Sequence, residues 1–357
     1  MDPIRKGIAL TIKEIEKSMF AISEEWLAKH REEIMEPDLP IIDAHHHLWD
    51  RGHRYILADM LADIDVGHNI VGTVYVQCRS MYREGGDPDL APVGEVEFAN
   101  GVAACAASGT YGNVRVCSGI VGFADLFLGE RVDRVLEMQM QRGGERFKGV
   151  RHVSPWDADR TIKSTPLDYP PRLLMDPAFR AGFSRLERYG LSFDGWLYHP
   201  QIAEFADLAR TFPGTTMILD HLGAPLGIGV YAGKRDQVFA DWKASMQELA
   251  LCKNVYVKLG GLGLHIVGLD LDFQHLDKPS TSAELAQAWR PYIETAIELF
   301  GPDRCMFESN FPVDKRSYSY HVLWNTFKRI ASSYSASEKA DLFSKTAKRA
   351  YRLQEIP

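Results

Sequence analysis

Between residues 40 and 310 the chain alternates short apolar runs with amphipathic stretches, a rhythm that predicts repeated βα units. The apolar runs place strands at Pro40–Ala44, Ile70–Gln77, Val116–Phe123, Phe147–His152, Leu191–Trp196, Thr216–His221, Val255–Gly260 and Cys305–Asn310. Eight strands with mostly helical connections fit an α/β fold, a distorted (β/α)8 barrel, although an open doubly wound sheet would present similar runs. Two connections look irregular: SPWDADRTIKSTPLDYPP after the fourth strand, and the stretch from Leu262 to about Ser282 after the seventh. Loops of that length inside a compact enzyme are usually lids or binding loops.

Ahead of the first strand, residues 8 to 35 predict one helix. Ile12, Ile15, Met19, Ile22 and Trp26 recur at three-four spacing, and Pro37 and Pro40 stop it. Such a narrow stripe suits either packing against a barrel or a seam between subunits. The chain therefore divides into a helical extension, residues 1–38, and a barrel, residues 39–357.

Composition narrows the class. The 357 residues are 45% hydrophobic and 25% charged, ordinary globular usage. No apolar run approaches the ~18 residues that span a bilayer, and the first residues lack the features of a signal peptide. Five cysteines, Cys78, Cys105, Cys117, Cys252 and Cys305, are scattered without CxxC spacing, which predicts free thiols and a cytoplasmic protein. A formal net charge of −7 gives no reason to expect nucleic-acid binding. The expected partner is a small-molecule substrate, in a homo-oligomer.

The polar residues cluster where the strands end. Asp43, His45 and His47 close the first strand, and Arg151 and His152 the fourth. Tyr198 and His199 follow the fifth, His221 closes the sixth, Lys258 sits in the seventh, and Glu308 and Asn310 end the eighth. In a parallel barrel the site forms at the C-terminal ends of the strands, so residues far apart in sequence converge there. Residues two apart share a face, so His45 and His47 project together and His46 points away. A lone histidine reads as a satisfied core residue; a set at matching strand ends reads as a site. Gln77 and Arg79, Arg151, His152, Tyr198 and Lys258 are candidate substrate contacts, Arg151 being suited to a carboxylate. Arg151 and Lys258 read equally well as ion-paired groups inside the barrel.

These motifs carry a resemblance. D-x-H-x-H-x-W, KGVRH, DHLG, VKLGGLG and FGPDRCMFESNFPV, in that order, resemble the amidohydrolase superfamily. The nearest pattern is the branch of 2-pyrone-4,6-dicarboxylate lactonase and the sugar lactonases acting on fucono- and rhamnonolactone. The likeness covers roughly residues 40 to 350. It implies a (β/α)8 barrel that opens a lactone, histidines polarising the carbonyl and an eighth-strand carboxylate activating water. It also implies one divalent metal, zinc, in some members and none in others. His45, His47 and His199 are the expected zinc ligands, with water in the fourth position. Lys148 lies too deep for a binuclear site.

The eighth strand departs from the pattern. The family's GSDWP is here Glu308-Ser309-Asn310-Phe311-Pro312, and the neutral Asn310 amide cannot take a proton from water. Three readings follow: Glu308 replaces the aspartate as base; His221 or Asp314 is the base while Asn310 orients water or substrate; or hydrolysis has been lost. Decarboxylation or hydration, cyclic-amide hydrolysis and non-catalytic ligand binding are the alternative functions. No phosphate-binding loop or serine nucleophile elbow appears.

Overall fold

A computed structural model describes residues 21–354 other than 166, together with 356. Eight parallel strands run in sequential order: β1 (Ile41–His46), β4 (Ile70–Val76), β5 (Arg115–Gly122), β6 (Phe147–Val153), β7 (Ser192–Trp196), β8 (Met217–Leu219), β9 (Val255–Leu259) and β10 (Cys305–Phe307). Two shorter strands, β2 (Trp49–Arg51) and β3 (His53–Tyr55), form an antiparallel hairpin above β1 that the apolar pattern does not announce. Gly52 turns it with φ +66°, a conformation open to glycine.

Ring closure is done by the residues after β10. Asn310 N donates to His45 O (2.9 Å), and His47 N donates to Phe311 O (2.7 Å). Asp43 adds a side-chain staple: its Oδ1 accepts from Ser309 N (2.8 Å) and its Oδ2 from Tyr320 Oη (3.0 Å). The expected barrel is therefore present and nearly closed.

Its outer layer comes from α1 (Glu24–Leu27), α2 (Leu57–Ile64), α3 (Val93–Ala107), α4 (Val132–Gly143), α5 (Pro177–Phe183), α6 (Arg185–Arg188) and α7 (Ile202–Thr211). It continues with α8 (Arg235–Ala250), α9 (Ser282–Phe300), α10 (Tyr320–Ile330), α11 (Ala336–Ala340) and α12 (Thr346–Ala350). Helices outside and packed side chains inside explain why most strand residues are buried on both faces. The five cysteines are free, as the spacing implied.

The predicted leading helix is corrected where it can be followed. Residues 8–20 lie outside the described residues, and beyond them only Glu24–Leu27 is helical. From Ala28 the chain runs irregularly because side chains of α9 and α10 satisfy its polar groups. Asn325 Oδ1 accepts from Met35 N (2.9 Å), and Lys328 Nζ donates to Met35 O (2.7 Å) and Glu36 O (2.9 Å). With those partners the backbone gains nothing from a helical ladder. Among the described residues the two irregular connections do lack α-helix: 154–171 carries no helical turn, and the stretch from Leu262 to the start of α9 carries one short 3₁₀ turn at His265–Val267.

Candidate active site

At the C-terminal mouth of the barrel three imidazoles pack together. The His45 ring lies 4.7 Å from that of His47 and 4.6 Å from that of His221, centroid to centroid. His45 and His47 share the inward face, their Nε2 atoms 3.1 Å apart, while His46 points out to Thr73 Oγ1 (2.8 Å). His47 Nδ1 donates to Val76 O (2.8 Å), which leaves its Nε2 as the acceptor. Burial, and then the charge of Lys258 beside His45 or of Arg151 beside His47, hold both rings well below the usual histidine range. Both are neutral near pH 7.

Glu308 ties this group together. Its Oε1 accepts from His221 Nδ1 (2.7 Å) and His221 N (3.1 Å), and its Oε2 lies 2.9 Å from His45 Nδ1. Burial pushes the Glu308 carboxyl up, but His221 and His45 outweigh it and hold the group at about 2. His221 reaches this geometry through backbone strain: His221, Leu222 and Ala224 have φ of +55°, +56° and +40°. Non-glycine residues held there cost about 1–3 kcal/mol each, a cost that gathers at functional sites. The VKLGGLG motif has its reason here. A Cβ on Gly260 would meet Glu308 Cγ at 2.4 Å, and one on Gly261 would meet His221 Cβ at 2.5 Å.

Beneath the imidazoles lies a buried ionic layer. Lys258 Nζ contacts Asp194 Oδ2 (2.7 Å), Asp220 Oδ1 (2.9 Å) and His45 Nδ1 (3.2 Å). Burial opposes the ammonium charge, yet Asp194 and Asp220 outweigh it and keep Lys258 protonated. Arg151 bridges this layer to the mouth, bonding Gln77 O and lying 3.4 Å from Asp220 Oδ2 and 3.3 Å from His45 Nε2.

A cavity of about 300 Å³ opens above. Its wall includes His47, His221, Asn310, Gln77, Arg151, Arg51 and Arg79. Trp49, Trp196 and Tyr169 give it aromatic surface, and Ser164, Thr165 and Leu167 bring in the long loop after β6. Among the described residues no aspartate or glutamate lines it. Two larger grooves, of about 560 and 940 Å³, lie at the periphery and include none of the three clustered imidazoles.

The structure thus brings His45, His47, His221, Glu308 and Asn310 together, and leaves other expected residues elsewhere. His199 departs: its Nδ1 accepts from Leu226 N (3.2 Å) and its ring packs 5.2 Å from that of Tyr231, under the loop after β8. His152 departs as well, since it alternates with inward-facing Arg151 and packs outward among Phe123, Phe127 and Phe179. Lys258 is buried in its ion pairs, and Tyr198 Oη bonds Ser164 (2.9 Å), so neither lines the cavity. Lys148 lies at the barrel's far end, donating to Arg352 O (3.1 Å). The pattern carried Trp49 as the last member of D-x-H-x-H-x-W without placing it at the cavity, and it did not reveal Arg51 on the hairpin. Asp194 and Asp220 did leave a trace: a charge inside an apolar strand requires a buried partner.

Among the described residues, His45, His221 and Glu308 form the one group that offers metal-ligand atoms within 4.8 Å of one another. Two imidazoles and a carboxylate are a donor set suited to zinc.

A parallel barrel with imidazoles and a carboxylate at its C-terminal mouth is the build of a barrel enzyme. The chain belongs to the amidohydrolase family, whose profile matches residues 42–353, and is accordingly an enzyme of hydrolase type. It is 34% identical to an uncharacterised protein, y4mH, of Sinorhizobium fredii, over 88% of this chain and 99% of that one. An L-fucono-1,5-lactonase of Burkholderia multivorans is 28% identical over 66% of this chain and 72% of its own length. A crystal structure of an amidohydrolase from Burkholderia multivorans with bound zinc superposes with a TM-score of 0.67 at 25% identity, covering 88% of this chain and 99% of that one.

Proposed function

We propose that the protein hydrolyses a small lactone bearing an acidic group, with His221 as the general base. The observation that carries this reading is the His221–Glu308 pair beneath a cavity walled by three arginines and no described carboxylate. Glu308 is a poor candidate for the base itself. It is fully buried, does not line the cavity, and both its oxygens face histidines. His221 does line the cavity, and because its Nδ1 is committed to Glu308, its Nε2 is the atom free to accept a proton from water.

In the reaction, water adds to the lactone carbonyl as His221 takes its proton. The tetrahedral oxyanion forms beside the Arg151 guanidinium, whose charge stabilises it. The ring C–O bond then breaks, and the proton held on His221 passes to the leaving alkoxide, giving the open hydroxy acid. Asn310, held by Asp314 through its Nδ2 (3.1 Å), positions water or substrate at the cavity wall rather than taking a proton. A divalent metal held by His45, His221 and Glu308 would supply Lewis-acid polarisation of the carbonyl, and His221 would then be a ligand, so the base role given to it belongs to the site without the ion.

The lactonase relative and the zinc-bound structural neighbour support the chemistry. The arginines argue for a different substrate from a neutral sugar lactone: Arg79 and Arg51 at the cavity wall suit an oxyanion, and Trp49, Trp196 and Tyr169 suit a flat ring face. Acid release from matched lactones with and without a carboxylate tests this reading. Hydrolysis favouring the acidic member, abolished in His221→Ala, is expected. Turnover untouched by that substitution would refute the mechanism, and a preference for neutral lactones would refute the substrate class.

A further inference from the structure

The three arginines of the cavity wall meet at one short loop, residues 77–81, that follows β4. Arg151 Nη2 donates to Gln77 O, Arg51 Nη2 donates to Cys78 O (2.6 Å), and Arg79 belongs to the loop itself. The loop turns left-handed at two residues that are not glycine, Arg79 (φ +64°) and Met81 (φ +54°). Residues persist in that region only where their surroundings over-determine them, and they gather at ligand clamps.

What over-determines this turn is a carboxylate beneath it. Glu95 stands in the first turn of α3 and is wholly buried. Its Oε1 accepts from Cys78 N (2.7 Å), Ser80 N (3.0 Å) and Tyr75 Oη (2.9 Å). Cys78 and Ser80 flank Arg79. A left-handed residue between two N–H groups turns both toward one anion, a concavity that the Glu95 carboxylate fills. Gly94 lets the helix come this close, since a Cβ there would meet Met81 O at 2.4 Å.

Burying a carboxylate is costly unless its hydrogen bonds are made, and the backbone donors that satisfy this one lie beyond the end of β4. Glu95 therefore holds the shape of the loop rather than the barrel. From the other side Arg51 grips the carbonyl of Cys78, its guanidinium 5.6 Å from the Trp49 ring. Arg151 has a second anchor in Asp220 Oδ2 (3.4 Å), whereas the direction of Arg79 follows from the turn itself.

We infer that Glu95 is a positioning residue for recognition of the substrate's acidic group, because it fixes the left-handed turn that presents Arg79 to the cavity. The kinetic side of this inference rests on the acidic-lactone reading above; the placement of Arg79 does not. The test uses the full chain as wild type, Glu95→Met, Glu95→Gln, Arg79→Gln and the double variant Glu95→Met/Arg79→Gln, on matched lactones with and without a carboxylate. Methionine keeps the length and burial of the side chain and removes the acceptor; glutamine keeps an acceptor oxygen. In Glu95→Met, KM for the acidic lactone is expected to rise by about tenfold, with kcat within about threefold and the neutral lactone unaffected. Glu95→Gln should restore most of that loss, and Glu95→Met should add nothing once Arg79 is glutamine. An unchanged KM in Glu95→Met, an equal rise on both lactones, or full additivity in the double variant overturns the inference. Should Glu95→Met fail to fold, Gly94→Ala, which pushes on Met81 O, takes its place with the same expected and overturning results. If Arg79→Gln leaves the acidic lactone untouched, or the wild type turns over no lactone, the acidic-lactone reading has failed instead. The inference is then decided by the Arg79 Nε resonance of ¹⁵N-arginine protein, assigned by difference from Arg79→Gln. A resonance that moves in Glu95→Met and returns in Glu95→Gln upholds the positioning role, and one that stays put overturns it.

Discussion

Glu308 Oε1 accepts hydrogen bonds from both the backbone nitrogen and the ring Nδ1 of His221, at 3.1 and 2.7 Å. One carboxylate oxygen therefore sets the backbone position, the ring orientation and the tautomer of that imidazole. Replacing Glu308 with glutamine keeps an acceptor but removes the negative charge that favours a protonated His221 during the reaction. Glu308→Gln should lower kcat by roughly 10²–10⁴ with little change in KM. Steady-state kinetics on a folded variant check this; a kcat within about threefold of wild type would show that the pair is not the base.

Arg79 stands at the cavity wall, away from the buried ionic layer. If it holds the acidic group of the substrate in ground and transition states alike, Arg79→Gln should raise KM by about ten- to a hundredfold and leave kcat nearly unchanged. The effect should vanish for a neutral lactone of the same ring. Equal effects on both lactones would remove Arg79 from substrate recognition.

Gly261 has φ +69° and its missing Cβ would lie 2.5 Å from Cβ and Cγ of His221. Alanine there must strain its own backbone and displace the imidazole. Gly261→Ala should destabilise the protein by about 1–3 kcal/mol and lower kcat by about a hundredfold or more. Denaturant unfolding beside kinetics separates the two effects. Stability and rate both at wild-type values would mean that the His221 loop yields easily.

Several histidines are buried neutral, and acid should find them. Burial holds His46 at about 3, and holds His68 and His199 at about 4. An unfolded histidine titrates near ~6.5, so below that pH the unfolded chain takes up protons that the folded chain refuses. Stability is complete above about pH 7 and falls as the pH drops, by about 1.4 kcal/mol per unit for each such histidine, until the folded values are reached. Urea midpoints should agree at pH 8 and 7 and be clearly lower at pH 5.5. A flat profile would mean that these rings take protons in the folded state.

Much of this was legible in the chain. Strand positions follow from apolar runs, because a strand covered on both faces must be apolar along its length. His45, His47 and His221 follow from strand ends, because parallel strands in a barrel deliver their C-terminal residues to one mouth. Asn310, the departure from the family pattern, drew attention to the eighth strand, where Glu308 meets His221 and His45.

The boundary of the leading helix and the fates of Lys258, His152 and His199 were not legible. Periodicity at residues 22–35 speaks only of local preference, whereas Asn325 and Lys328, nearly three hundred residues later, supply the partners that override it. Arg151 and Lys258 are indistinguishable in sequence, each a cation in an apolar strand; their depth in the barrel separates one that meets the cavity from one that meets Asp194 and Asp220. By itself, then, the sequence determined the order of elements, the family and the core of the mouth, His45, His47, His221, Glu308 and Asn310, because these depend on local periodicity and strand polarity. Only the tertiary structure decided that Glu308 faces two histidines instead of water and that the C-terminal segment reaches up to Asp194 through Tyr351. Both are contacts between segments remote in the chain, and their distances are fixed by packing rather than by any local preference.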